Sequence, residues 1–167
     1  PLLRVTDIKG AVAIAKKHNL ISVVDNTFMT PLGQSPLTLG ADIVVHSATK
    51  FLGGHSDIIA GAAITNRKDV AEALYLLQNG TGIALSAHDS WTLAKHLKTL
   101  PVRFRKSTSN AEKLVDFLSQ RDEVAEVYYP GNSDLHLSQA KSGGAVIGFR
   151  LKDETKAQAF VDALTLP

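Results

Sequence analysis

The sequence contains no cysteine, which excludes disulfide frameworks and thiolate zinc sites and is compatible with a reducing compartment. It has no apolar run of membrane-spanning length and no visible signal peptide, so the expectation is a cytoplasmic protein with no membrane partner. It also lacks a charge stripe of one sign: 18 Lys and Arg are interleaved with 16 Asp and Glu, for a net charge of +2. That balance lacks the footprint of a nucleic-acid binder and points to a small-molecule partner. No polar or single-residue tract suggests disorder. No initiator Met precedes Pro1, and the chain closes on "DALTLP" straight after a helical pattern with no clear stop. Both features lead us to expect residues missing on either side. What is present has an ordinary globular composition, 44% apolar and 20% charged over 167 residues. This is enough for one core, or for a large domain and part of a second.

Helical spacing of Ile8, Ala11, Val12 and Ala15 behind a Thr6 or Asp7 cap predicts an amphipathic helix ending in "KKHN". "LISVVDN" and "ADIVVHS" are short β-branched runs, the pattern of buried strands in an α/β sheet. The stretch between them, "TFMTPLGQSPLTLG", should be irregular apart from one turn near Pro36. "AGAAIT" predicts a third strand, and "RKDVAEALYLLQNG" a helix with Val70, Leu74 and Leu77 on one side and Asn79 and Gly80 as its stop. A long helical tract from about Ala87 to Gln120 is interrupted near Pro101. "EVAEVYYPG" and "GGAVIGFRL" then read as strands and "DETKAQAFVDAL" as a last helix. This order predicts a layered α/β domain with a largely parallel sheet. A composition shift at 96–105 marks the candidate domain boundary.

In open α/β sheets ligands sit beyond the carboxyl ends of strands, and here two such ends carry Asp25 and the segment Ser47 to Lys50. A lysine amine whose pKa is lowered by burial or a nearby cation forms a Schiff base with an aldehyde. The aldehyde cofactor that proteins use in this way is pyridoxal phosphate, which needs a carboxylate beside its ring nitrogen and donors around its phosphate. Asp25 can supply the carboxylate, Lys50 the amine, and Ser47 and Thr49 the phosphate donors. On composition alone, a surface lysine in a turn accounts for the same residues.

The segment "DIKGAVAIAKKHNLISVVDNTFMTPLGQSPLTLGADIVVHSATKFLGGHSDIIAG" is decisive for resemblance. With D-N-T-F, L-G-A-D-I-V-V-H-S-A-T-K and G-H-S-D in order and at family spacing, the chain resembles the Cys/Met-metabolism family of pyridoxal-phosphate enzymes. The likeness continues through "DSWTLAKHLKTLPVRF" and "VYYPG" to "GGAVIGFRL". It implies part of a fold-type I transferase-like large domain, with a mixed, mostly parallel sheet and helices on both faces. Residues 1–100 would belong to that cofactor-binding domain. Residues 101–167 would form a long connecting helix and the start of a smaller α+β C-terminal domain. It implies Lys50 as the Schiff-base lysine, Asp25 as the partner of the ring nitrogen, and Ser47 and Thr49 as phosphate ligands. The implied activity is elimination or replacement at Cβ or Cγ of sulfur amino acids, of the cystathionine lyase or γ-synthase type, in a homodimer or homotetramer. The alternative is a catalytically silent α/β fragment or oligomerising module without cofactor. Where the family usually reads Arg-Gly before L-K-T-L, this chain has Lys95 and His96.

Other residues have plainer accounts. His46, His55 and Asp57 lack metal-ligand spacing, and His55 should order the loop after Lys50. Gly53 and Gly54 suit a tight turn. Trp91, among Leu93, Ala94 and Leu97, is expected in the core. Tyr128 and Tyr129 should close a strand, and "RFRKS" from Arg103 should be a solvated helix face.

Overall fold

The computed structural model describes residues 2–165. Helix α1 (Ile8–Lys17) begins where the extended Asp7 accepts a hydrogen bond from the Gly10 amide, and Lys16 and Lys17 occupy its last turn. An acidic cap at the start and cations at the end both complement the helix dipole. Its buried residues, Ile8 and Val12, pack with Ala41, Val24 and Leu39. The helix therefore covers the sheet face that carries Val24.

Strand β1 (Val23–Asp25) runs parallel to β2 (Ile43–Ser47), with Asp25 opposite Val45. Strand β3 (Gly61–Thr65) pairs antiparallel with β2, Gly61 opposite Ser47. The sheet is mixed, and in these three strands one pairing is of each kind. The chain returns from Ser47 through a loop and not through a helical crossover, and such a return reverses strand direction. Between β1 and β2 lie a short helix α2 (Thr30–Gly33) and the anticipated turn at Pro36–Leu39. Helix α2 is held by Asn26, whose buried amide donates to the Thr30 and Gln34 carbonyls at 3.1 and 2.9 Å.

Helix α3 (Lys68–Thr81) runs through the anticipated stop at Asn79 and Gly80 and ends at Gly82. Gly82 has φ +70°, the left-handed cap that glycine adopts without steric cost. Of its apolar side, Val70 is buried, but Leu77 is 57% exposed.

The long helical tract is two helices, α4 (Ala87–Leu97) and α5 (Leu100–Ser119). Pro101 lies in the first turn of α5, where its missing N–H sacrifices no hydrogen bond, so the break falls ahead of it. Trp91 is not in the core: it is 58% exposed, and the Lys95 ammonium sits 4.2 Å above its ring. Most of its surface faces solvent, and the cation gives its π surface a partner. The core at this end comes from α5, whose Leu100 and Phe104 close on Ala48 and Leu52. "RFRKS" accordingly is not a uniform solvated face, since Phe104 is 3% exposed. Beyond α5, β4 (Val124–Tyr128) pairs antiparallel with β5 (Gly148–Leu151) in a separate two-stranded sheet. A short helix α6 (Asp134–Leu137) lies between them and α7 (Ala157–Asp162) follows.

Candidate active site

Parallel pairing brings the carboxyl ends of β1 and β2 side by side, and a short hydrogen-bond chain joins them. Asp25 Oδ1 accepts from the Thr27 amide at 3.0 Å and from the Thr27 hydroxyl at 2.6 Å. The same hydroxyl oxygen accepts from the Ser47 amide at 2.7 Å. The buried Thr27 thereby fixes Asp25 against the start of the Ser47–Lys50 segment. Oδ2 of Asp25 accepts no hydrogen bond among the described residues, and the residue is exposed. A carboxylate with one oxygen anchored and the other available suits a protonated ring nitrogen.

Lys50 sits in a tight turn directly after β2. Its amide donates to the Ser47 carbonyl at 3.1 Å and its own carbonyl accepts from the Gly54 amide at 2.7 Å, so its backbone is held on both sides. Its amine is exposed and has no hydrogen bond or ion pair among the described residues. The Thr49 hydroxyl accepts from the Ala60 amide at 3.0 Å and donates to the Ala60 carbonyl over a long 3.3 Å. That donor bond is near the limit of useful length, so the proton can be redirected to a better acceptor. Ser47 Oγ makes no hydrogen bond among the described residues, which leaves it free to donate.

An open cleft of about 1030 Å³ adjoins this turn, lined by Thr49, Lys50, Asp57, Ile58, Arg103 and Lys106 among others. Three cations against one carboxylate favour an anionic occupant. Of the four residues singled out from sequence, Thr49 and Lys50 line this cleft, while Asp25 and Ser47, at the ends of β1 and β2, do not.

Histidines surround the turn. His46 is buried on β2 with its Nδ1 unpartnered, and burial holds its pKa below the ordinary imidazole value, opposed by the Asp25 carboxylate. His55 Nδ1 lies 2.8 Å from the Gly53 carbonyl oxygen. Its ring stacks on His96 at 4.0 Å, and His96 Nε2 lies 3.4 Å from Asp57 Oδ2. The departure at His96 thus ties α4 to the loop that follows Lys50. No group of three or more His, Asp or Glu side chains is placed to hold a metal among the described residues.

Two residues escaped the sequence reading. Thr27 stood in view within D-N-T-F, but its role depends on two strand ends meeting. Arg103 donates across 52 residues of sequence to the Phe51 carbonyl, and no local pattern signals such a contact.

The Cys/Met metabolism PLP-dependent enzyme family matches residues 1–167. The chain belongs to that family. It is 84% identical over 167 residues to cystathionine beta-lyase MetC of Staphylococcus haemolyticus (strain JCSC1435), covering 100% of this chain and 43% of that protein. It is 44% identical over 171 residues to cystathionine gamma-lyase of Bacillus subtilis (strain 168), covering 99% of this chain and 45% of that one. Among solved structures, cystathionine gamma-lyase from Lactobacillus plantarum complexed with L-serine superposes with a TM-score of 0.95 at 39% identity, over 99% of this chain and 45% of that chain. The chain therefore spans less than half the length of these relatives. Family membership makes pyridoxal phosphate the cofactor against which the strand-end residues are to be read. A free amine, a half-anchored carboxylate and available hydroxyls are chemically suited to it.

Proposed function

We propose that this chain belongs to an enzyme that carries out elimination or replacement at Cβ or Cγ of sulfur amino acids, of the cystathionine lyase or γ-synthase type. The observation that carries the reading is the 84% identity, along the whole chain, to a cystathionine beta-lyase. That relative favours elimination at Cβ. Bound pyridoxal phosphate supplies an aldehyde and an electron sink. Lys50 would hold the cofactor through its amine and, once released, take the Cα proton of the amino acid. Asp25 keeps a proton at the ring nitrogen, Thr27 keeps Asp25 in place, and Ser47 and Thr49 donate hydroxyl hydrogen bonds to the phosphate. In this reading residues 1–100 belong to the cofactor-binding domain, and 101–167 comprise the connecting helix and the start of a small domain. The protein works as a homodimer or homotetramer in the cytoplasm. No helix among the described residues is long and apolar enough to cross a membrane.

The test is to add pyridoxal phosphate to the chain, look for a yellow absorbance band, fix the adduct with borohydride and locate it by mass spectrometry. The expected result is one adduct on the peptide containing Lys50, lost in Lys50→Ala. A wild-type chain that stays colourless and unmodified would support the alternative, an α/β module without cofactor. With cystathionine as substrate, pyruvate marks elimination at Cβ and 2-oxobutanoate elimination at Cγ.

A further inference from the structure

We propose that Arg103 is a positioning residue for Lys50, a role that rests on reading Lys50 as the cofactor lysine. Directly after Lys50 the chain turns without continuing into a helix, so the carbonyls of Phe51 and Leu52 lack the amide partners a helix would bring. Arg103 supplies donors from α5: Nη1 to the Phe51 carbonyl at 2.8 Å and Nη2 to the Leu52 carbonyl at 3.4 Å. The guanidinium is itself oriented by the end of α4, with Nη2 donating to the His96 carbonyl at 3.1 Å and Nε to the Thr99 hydroxyl at 3.0 Å. Four acceptors on two segments, the turn after Lys50 and the junction of α4 with α5, thus converge on one planar fork, which a lysine ammonium on its flexible stem cannot match.

Gly54 shows how close this approach is. It has φ +76°, and a Cβ built there would overlap Arg103 Nη1 and Cζ. The guanidinium therefore packs directly on the backbone that closes the Lys50 turn, through the Gly54 amide bonded to the Lys50 carbonyl. Arg103 and Lys50 also line the same cleft. The residue after Lys50 on one side and the cleft wall on the other are held by one side chain. The direction in which the Lys50 amine leaves its turn is consequently set from α5.

The experiment compares the wild-type chain with Arg103→Met and Arg103→Lys by three readouts. The first is hydrogen exchange of amides 51–54 against those of 43–47. The second is the rate of pyridoxal-phosphate adduct formation on Lys50. The third is acylation of Lys50 by acetic anhydride relative to the other lysines. The expected result for Arg103→Met is exchange at 51–54 faster by about tenfold or more, with 43–47 unchanged, slower adduct formation and an altered relative acylation of Lys50. Arg103→Lys keeps the charge but lacks the fork and should stay near the Met variant. Wild-type exchange at 51–54, or a wild-type adduct rate in Arg103→Lys, would overturn the proposal. If Arg103→Met does not fold, Arg103→Lys alone decides. If the wild-type chain forms no adduct, the reading of Lys50 as cofactor lysine falls, and exchange and acylation still judge the role of Arg103.

Discussion

At the scale of single residues, Thr27 carries more than its size suggests. Its hydroxyl donates its one proton to Asp25 Oδ1 and accepts from the Ser47 amide, so it bridges two groups on different strands. Thr27→Val preserves shape and removes both bonds, leaving the Ser47 amide unpaired in a half-buried place. Losing a buried partner of this kind costs about 1–3 kcal/mol. Denaturant unfolding should show a loss in that range for Thr27→Val, whereas Ser47→Ala, which keeps the backbone amide, should be near neutral in stability. Equal stability of Thr27→Val and wild type would sink the idea that Thr27 links the strand ends. Asp25 and Lys50 could be singled out as candidates because they stand at the ends of β-branched runs in motif spacing. Thr27 was not singled out because its partner lies 20 residues away and is reached only through strand pairing.

At the scale of elements, the opposite ends of β1 and β2 are joined by a second polar link. Asp42 Oδ2 accepts from the Ser22 amide at 2.9 Å and the Ser22 hydroxyl at 2.7 Å, while Oδ1 accepts from Arg67 Nη1 at 3.1 Å just ahead of α3. These bonds, the Ser22 amide first, hold the Asp42 pKa down from 3.8 to about 2. A carboxyl depressed in the folded state contributes stability that is fully present above its unfolded value. That contribution is lost as pH falls from 3.8 towards about 2. Ser22→Ala removes the hydroxyl donor, so Asp42 should titrate closer to 3.8 and the window should narrow. Carboxyl chemical shifts followed by NMR through acid check this, and an unmoved Asp42 titration would count against it. Strands and helices themselves were largely readable from period and punctuation. What helical spacing does not reveal is whether a face meets anything. Leu77, Trp91 and Leu97 have the spacing of core residues, yet their helices present them to solvent, while Val70 and Leu93 on the same helices pack inward. The end of α3 escaped for a related reason: Gly80 tolerates helical dihedrals, and the left-handed residue that stops the helix is the next glycine along.

At the scale of the whole molecule, surface area makes the strongest statement. The chain exposes 11063 Å², against roughly 8,000 Å² expected for a compact monomer of 17.9 kDa. The excess, roughly 3,000 Å², is surface that a compact monomer of this mass would bury, on a chain that spans less than half the length of its relatives. Much of it is apolar: Ile59 is 89% exposed, Leu76 and Ile83 each 70%, and Val23 56%. Isolated exposed leucines are ordinary, but this many large exposed side chains on one small chain is more than isolated residues account for. On its own the chain should therefore associate with itself in a concentration-dependent way, and a dye that fluoresces on apolar surfaces should bind it. Sedimentation velocity over a wide range of concentration measures the first and dye titration the second. Leu76→Lys together with Ile83→Lys should shift the distribution towards monomer without changing helix content, because neither side chain is part of the core. A chain that sediments as a monomer throughout and leaves the dye dark would contradict the argument, and would mean that the exposed apolar residues are too scattered to act as one surface.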